Sequence, residues 1–205
     1  MSSILKMVIP MGAVGSAGGA YLIYDHVPKE GESLRDRLVK EYSEKPYKVL
    51  TSSDGEWIEV KKIYKKSKDK ISEVDENQLI SWCEDNLKSS EYSDGVYGNV
   101  KKWCVIKTSS ILQELGSKAI STEDSANNVD SEWSKAWERY NTDKGKSENA
   151  ALQIEDAKFK EATEATKGKA AMKVWCGTIY KKQMYHEDAE SSLALAMKWC
   201  VKPIA

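Results

Sequence analysis

Histidine is nearly absent: His26 and His186 are the only two, which leaves little material for imidazole catalysis or a histidine-based zinc site. A net charge also is lacking. With 31 Lys and Arg against 32 Asp and Glu the formal charge is -1, and basic and acidic residues are interleaved, so the electrostatic footprint of a nucleic-acid binder is missing. No nucleic-acid partner is expected. No GxSxG, HExxH, CxxC, EF-hand loop or N-glycosylation triplet occurs. Gly145-Lys146-Ser147 resembles the end of a phosphate-binding loop, but Tyr140 stands where its first glycine would be. No catalytic, cofactor or metal residue is therefore assigned. Phenylalanine is used once, and 31% of the chain is charged. Seven Trp and ten Tyr make up the bulk that Phe does not supply, so a folded core remains within reach.

What is present is a dipeptide used four times. Trp82-Cys83, Trp103-Cys104, Trp175-Cys176 and Trp199-Cys200 consume every cysteine in the chain. Aligning the first couple with the second aligns what precedes them. SLRDRL from Ser33 answers SILQEL from Ser110, DGEW at Trp57 answers DSEW at Trp133, and VKKWCV answers AMKWCV. Tyr64 and Tyr140 follow their tryptophans at the same distance. Spacing of this kind marks an internal duplication, with residues 33–106 as one repeat and 107–205 as the other.

Ahead of the repeats, Met7 to Tyr24 carries no charge, and residues 4–24 as a helix would span roughly 30 Å, one hydrocarbon core. Residues 1–25 are therefore expected to anchor the chain in a bilayer as a single-pass segment. A cleaved signal peptide and a soluble helix are the alternatives, the former because Gly15-Ser16-Ala17 offers small residues at a cleavage position. Residues 26–32, with Pro28 and Gly31, read as a linker.

Each repeat reads as four short helices, giving an all-α fold. Ser33 caps the first, with Leu34, Leu38 and Tyr42 on one face. Ser53 or Asp54 is expected to cap the second, and Trp57, Val60, Ile63 and Tyr64 form its stripe. The third runs around residues 76–88 with Leu79, Cys83 and Leu87 in register, and the fourth begins near Asp94. In the second repeat Leu112 and Leu115 mark the first helix and Asp130 takes the capping role. The Ala/Glu/Lys-rich stretch 148–171 favours a lengthened third helix running toward Met184, with Gly168 as its candidate break. Leu193, Ala196, Met197 and Cys200 close the last.

Two Trp-Cys pairs on consecutive helices joined by a short turn bring the cysteines level. Disulfides Cys83 to Cys104 and Cys176 to Cys200 are the simplest expectation, with buried reduced thiols and other pairings as alternatives. Trp57, Trp82, Trp103, Trp133, Trp175 and Trp199 are expected in the core. A Trp and the Cys after it lie about 100° apart on a helix, so one of each pair should sit at the edge.

The start MSSILKMVIPMGAVGSAGGAYLIY, followed by SLRDRL, DGEW and repeated WC, resembles large paralogous families of uncharacterised surface proteins in haemotropic mycoplasmas, wall-less bacteria that attach to red blood cells. The resemblance covers nearly the whole chain. It implies a membrane-held, cell-surface protein concerned with host contact or antigenic variation, and it transfers no catalytic residue. The reading is a non-enzymatic surface protein with its repeats outside the cell membrane; the alternative is a solute-binding or enzymatic cleft between the repeats.

Overall fold

The structure, a computed structural model, describes residues 31–123, 128–156, 159 and 164–202. The expected anchor at residues 4–24 lies outside them. Among the described residues no helix is long and apolar enough to cross a membrane.

The fold is mostly helical. In the first repeat α1 (Leu34–Glu41), α2 (Trp57–Lys66), α3 (Leu79–Lys88) and α4 (Asp94–Trp103) are joined by a strand pair, β1 (Tyr47–Val49) and β2 (Val105–Lys107). The strands are antiparallel, with Lys48 opposite Ile106. In the second repeat α5 (Ile111–Leu115), α6 (Val129–Asp143), α7 (Ala165–Tyr180) and α8 (Ala189–Trp199) follow the same order. There the strand pair shrinks to one bridge, Ala119 with Val201.

The duplication extends to individual bonds. The Leu50 N–H donates to the Cys104 carbonyl at 2.9 Å, and the Ile120 N–H to that of Cys200 at 3.0 Å. The Leu34 N–H reaches Ser89 O at 2.9 Å, and Ile111 N–H reaches Lys182 O at 2.9 Å. Trp57 Nε1 donates to Thr51 O at 2.7 Å, as Trp133 Nε1 does to Ser121 O at 2.8 Å. Leu79, Cys83 and Leu87 are buried on α3, and Met172, Cys176 and Tyr180 occupy the same steps of α7. Burying one residue per turn against the partner helices is what an amphipathic helix of this length must do to be stable. Each repeat encloses its own apolar cluster, and Tyr185 of the second packs against that of the first.

Several local expectations change. Helix α2 starts at Trp57 without a side-chain cap, because the Asp54 carboxylate accepts the Thr51 N–H at 2.7 Å and pairs with Lys48 at 2.9 Å. Helix α6 starts at Val129 after Asn128, whose left-handed φ of 61° turns the chain; Asp130 lies in the first turn and pairs with Lys169. On α5 the buried pair is Ile111 and Leu115, matching Leu34 and Leu38, and Leu112 faces out. Met197 is likewise exposed on α8.

The expected long helix from residue 148 does not form. Ser147–Leu152 is a 3-10 helix and α7 begins at Ala165. Tertiary partners take the backbone groups that an α-helix would use: Trp199 Nε1 donates to Leu152 O at 2.6 Å, and the Ile154 N–H to Tyr140 Oη at 3.3 Å. Gly168 is no break. It lets α7 lie close against Trp137 of α6, where an added Cβ would lie 2.0 Å from Trp137 Cε2. The indole is rigid, so Gly168→Ala must separate the helices and is expected to cost about 1 to 3 kcal/mol. Gly98→Ala on α4 meets nothing within 4 Å. It should stabilise by about 0.4 to 1 kcal/mol. Urea midpoints of the two variants should move in opposite directions.

Candidate functional site

The Trp-Cys couples form the frame on which any surface is built. Cys83 is bonded to Cys104 with Cα atoms 5.6 Å apart, and Cys176 to Cys200 with Cα atoms 5.8 Å apart. Trp57, Trp103, Trp133 and Trp199 are buried. Trp82 and Trp175, expected in the core, are only half-buried and pack on the clusters from the side. On α3 and α7 the cysteine holds the centre of the buried face, which pushes the preceding indole to the rim. The edge argument fails for the other two couples. Cys104 and Cys200 are C-cap residues, so the chain leaves the helix there and both members of each pair turn inward. Tyr64 meets Trp103 edge-on at 4.7 Å between ring centroids, and Tyr140 meets Trp199 at 5.0 Å.

On this shared frame the first repeat carries a surface ladder of alternating cations and aromatic rings. The Arg37 guanidinium lies 5.0 Å from the Tyr97 ring centroid and donates to Tyr92 Oη at 2.8 Å. Tyr92 stacks on Tyr97 at 5.9 Å. Lys101 Nζ sits between Tyr97 and Tyr42, 5.3 and 5.5 Å from their centroids, and Tyr42 stacks on Tyr47 at 4.7 Å. Under the ladder Glu41 accepts from Tyr97 Oη at 2.5 Å and from Lys101 Nζ at 2.6 Å. Helix α1 supplies Arg37 and Glu41 one turn apart, and α4 supplies Tyr97 and Lys101 in the same way, so two i, i+4 pairs face each other.

Burial pushes the Glu41 carboxyl up, but the hydrogen bonds from Lys101 and Tyr97 outweigh it and hold it below the usual glutamate range. Burial and Glu41 together raise the Tyr97 phenol. A carboxyl whose folded pKa is depressed contributes stability above its unfolded pKa and loses it as pH falls through the folded value. The stability difference between the natural chain and Glu41→Gln is therefore expected at neutral pH and should fade with acidification to below the ordinary carboxylate range. Urea titrations at stepped pH measure it; a difference independent of pH would refute the assignment.

The ladder has no counterpart in the second repeat. By the alignments through Ser33 with Ser110 and Cys104 with Cys200, Glu114 replaces Arg37, Lys118 replaces Glu41, Leu193 replaces Tyr97 and Met197 replaces Lys101. The segment from Leu115 to Ile120 is shorter than that from Leu38 to Leu50 and holds no equivalent of Tyr42 or Tyr47. Sequence periodicity gives these residues no functional role, Tyr42 entering only as part of the apolar face of α1. Their i, i+4 spacings were visible, but not that α1 and α4 would lay them side by side.

A second feature lies at the junction of the repeats. Val60, Ile63, Trp103 and Ile106 of the first and Met184 and Tyr185 of the second surround a hollow of about 180 Å³. Its two lysines are engaged, Lys102 by Asp69 at 3.0 Å and Lys107 by Glu114 at 2.6 Å. A neighbouring hollow of about 350 Å³ is bordered by Lys66, His186, Glu187 and Glu190. His186 stacks on Tyr185, with Nδ1 3.6 Å from Glu59. Among the described residues no three His, Cys, Asp or Glu side chains are grouped to hold a metal ion. No family model, curated protein or solved structure matches the chain.

Proposed function

We propose that this chain is a non-enzymatic, membrane-anchored surface protein whose first repeat contacts a partner protein through the Arg37–Tyr47–Tyr97–Lys101 face. One observation carries the reading. Two repeats that share staples, core rings and backbone bonds differ in this ladder, so the fold does not require it. Tyr and Arg are also the residues that dominate contact energies, because they bring large rigid area with a polar tip. Tyr47 and Val39, on β1 and α1, are exposed. The disulfides support an oxidising, extracytoplasmic setting for the repeats. The run from Met7 to Tyr24, which carries no charge, supports anchoring in the cell membrane through residues 4–24. The resemblance to mycoplasma surface families supports a host molecule as partner.

The solute-binding reading has the junction hollow on its side. At about 180 Å³ it falls short of the roughly 300 to 1,000 Å³ usual for ligand pockets and its lysines are already paired, while the neighbouring hollow of about 350 Å³ reaches only the lower end of that range and its Lys66 is paired with Glu187. The test has two stages. Protease shaving of intact cells should remove the repeats together with a known surface marker. Liposomes bearing the full chain should then adhere to red cells, and Arg37→Ala with Tyr47→Ala should lower adhesion while leaving the melting transition in place. Repeats protected from protease, or adhesion unchanged in the double variant, would count against the proposal.

A further inference from the structure

The ladder of the first repeat carries its unmatched charge at its two ends. Residues 33–49 hold five cations against three acids, whereas their equivalents, 110–119, hold one of each. Three of the five cations are engaged within the chain: Lys40 pairs with Glu32, Lys48 with Asp54 and Glu56, and Arg35 donates to Leu50 O at 2.7 Å. In the middle of the ladder Lys101, from α4, is matched by Glu41.

Arg37 and Lys45 remain. Arg37 lies over the Tyr92 and Tyr97 rings and spends one of the five donors of a guanidinium on Tyr92 Oη. Lys45 is exposed, with Nζ 5.7 Å from the Tyr42 ring centroid. Neither forms an ion pair among the described residues. A ring face holds a cation in place without cancelling its charge, so an incoming carboxylate meets two cations already positioned. The steps from Arg37 to Tyr97, Lys101, Tyr42 and Lys45 measure 5.0, 5.3, 5.5 and 5.7 Å, a path that about six residues of extended chain would cover.

The same contacts select among anionic partners. Tyr97 is set among Arg37, Lys101 and Tyr92, and Tyr42 among Lys45, Lys101 and Tyr47, so neither ring is left as an open platform for a sugar. A uniform polyanion would also bring negative charge onto Glu41 at the centre, where like charges repel. A peptide can place two carboxylates at the ends and neutral residues between.

Taking this face as the contact surface argued above, we propose that its partner presents an extended acidic segment, with one carboxylate on Arg37, a second on Lys45 and uncharged residues over Glu41. Complementary charge of this kind fixes the register of a contact and makes it sensitive to salt.

Fluorescence anisotropy of the full chain in non-ionic detergent tests this with labelled hexapeptides whose termini are blocked. A peptide with Glu at both ends and Gly and Ser between should bind about tenfold tighter than the same peptide with Gln at both ends. Added salt should narrow the difference. Lys45→Glu should abolish the preference, and a peptide with Glu at one end and Lys at the other should recover binding to that variant. Lys45 is exposed, so its reversal reads out the contact even where a change at Arg37 loosens the ladder. Equal binding of the Glu and Gln peptides would overturn the proposal. If red-cell adhesion still falls in the variant with Arg37→Ala and Tyr47→Ala, the contact surface then stands and only the acidic partner is wrong. A sulfated glycan such as heparin that binds tighter than the Glu peptide, and is lost in Lys45→Glu, would overturn it as well.

Discussion

Trp199→Ala is expected to destabilise the second repeat by about 3 to 5 kcal/mol, the range for deleting a large buried aromatic side chain. Trp199 is fully buried, meets Tyr140 edge-on and donates its indole N–H to Leu152 O at 2.6 Å. Truncation would open a cavity beside the Cys176 to Cys200 staple and leave that carbonyl without its donor. The first repeat separates these two effects. Trp103 holds the equivalent place against Tyr64, but its Nε1 has no partner. Trp103→Phe should therefore cost only lost packing, whereas Trp199→Phe should cost more by about 1 to 3 kcal/mol for the orphaned carbonyl. Urea denaturation of both variants decides it. Equal shifts would mean that the Leu152 contact contributes nothing to stability.

Removing a staple should have an effect of similar size. The bridged cysteines are 21 residues apart in the first repeat and 24 in the second. Loop closure over such distances is worth about 3 to 4 kcal/mol in the chain-entropy account. Cys104→Ala should destabilise the first repeat by that amount and, if the repeats unfold separately, leave the second transition in place. Reduction of the natural protein should lower both. Trp103 and Cys104 both belong to the first core cluster, so Trp103→Ala and Cys104→Ala should not add, with a coupling of about 0.5 to 3 kcal/mol in a double-mutant cycle. Strict additivity would show that the indole and the staple act independently.

Much of the frame was legible because it rests on spacing. The Leu79, Cys83, Leu87 register and its partner cysteine on the next helix follow from helical period alone, and the two disulfides are those the hairpins imply. Ser33 caps α1 as its position suggests, and the structure gives its counterpart Ser110 the same role on α5. The signals failed where a tertiary partner competes with local preference. Residues 147–154 carry helix-favouring composition, yet Trp199 and Tyr140 claim their backbone groups. Gly168, expected to interrupt a helix, instead lets two helices approach around an indole. The ladder was hidden for a related reason, since each of its residues is unremarkable in its own segment of the chain.

The sequence by itself determined that the chain is duplicated, mostly helical in its repeats, and marked by a cysteine after each of four tryptophans, with the two bridges as the simplest pairing. Period, rare-residue spacing and cap chemistry are properties of neighbours along the chain, and they survive without knowledge of the rest. Only the tertiary structure decided which face of each helix meets another element. It set Arg37 against Tyr97 on one surface, and Met184 against Ile63 at the junction. Those contacts join residues far apart in sequence, and their energies depend on burial and distance, quantities that exist only once the helices have packed.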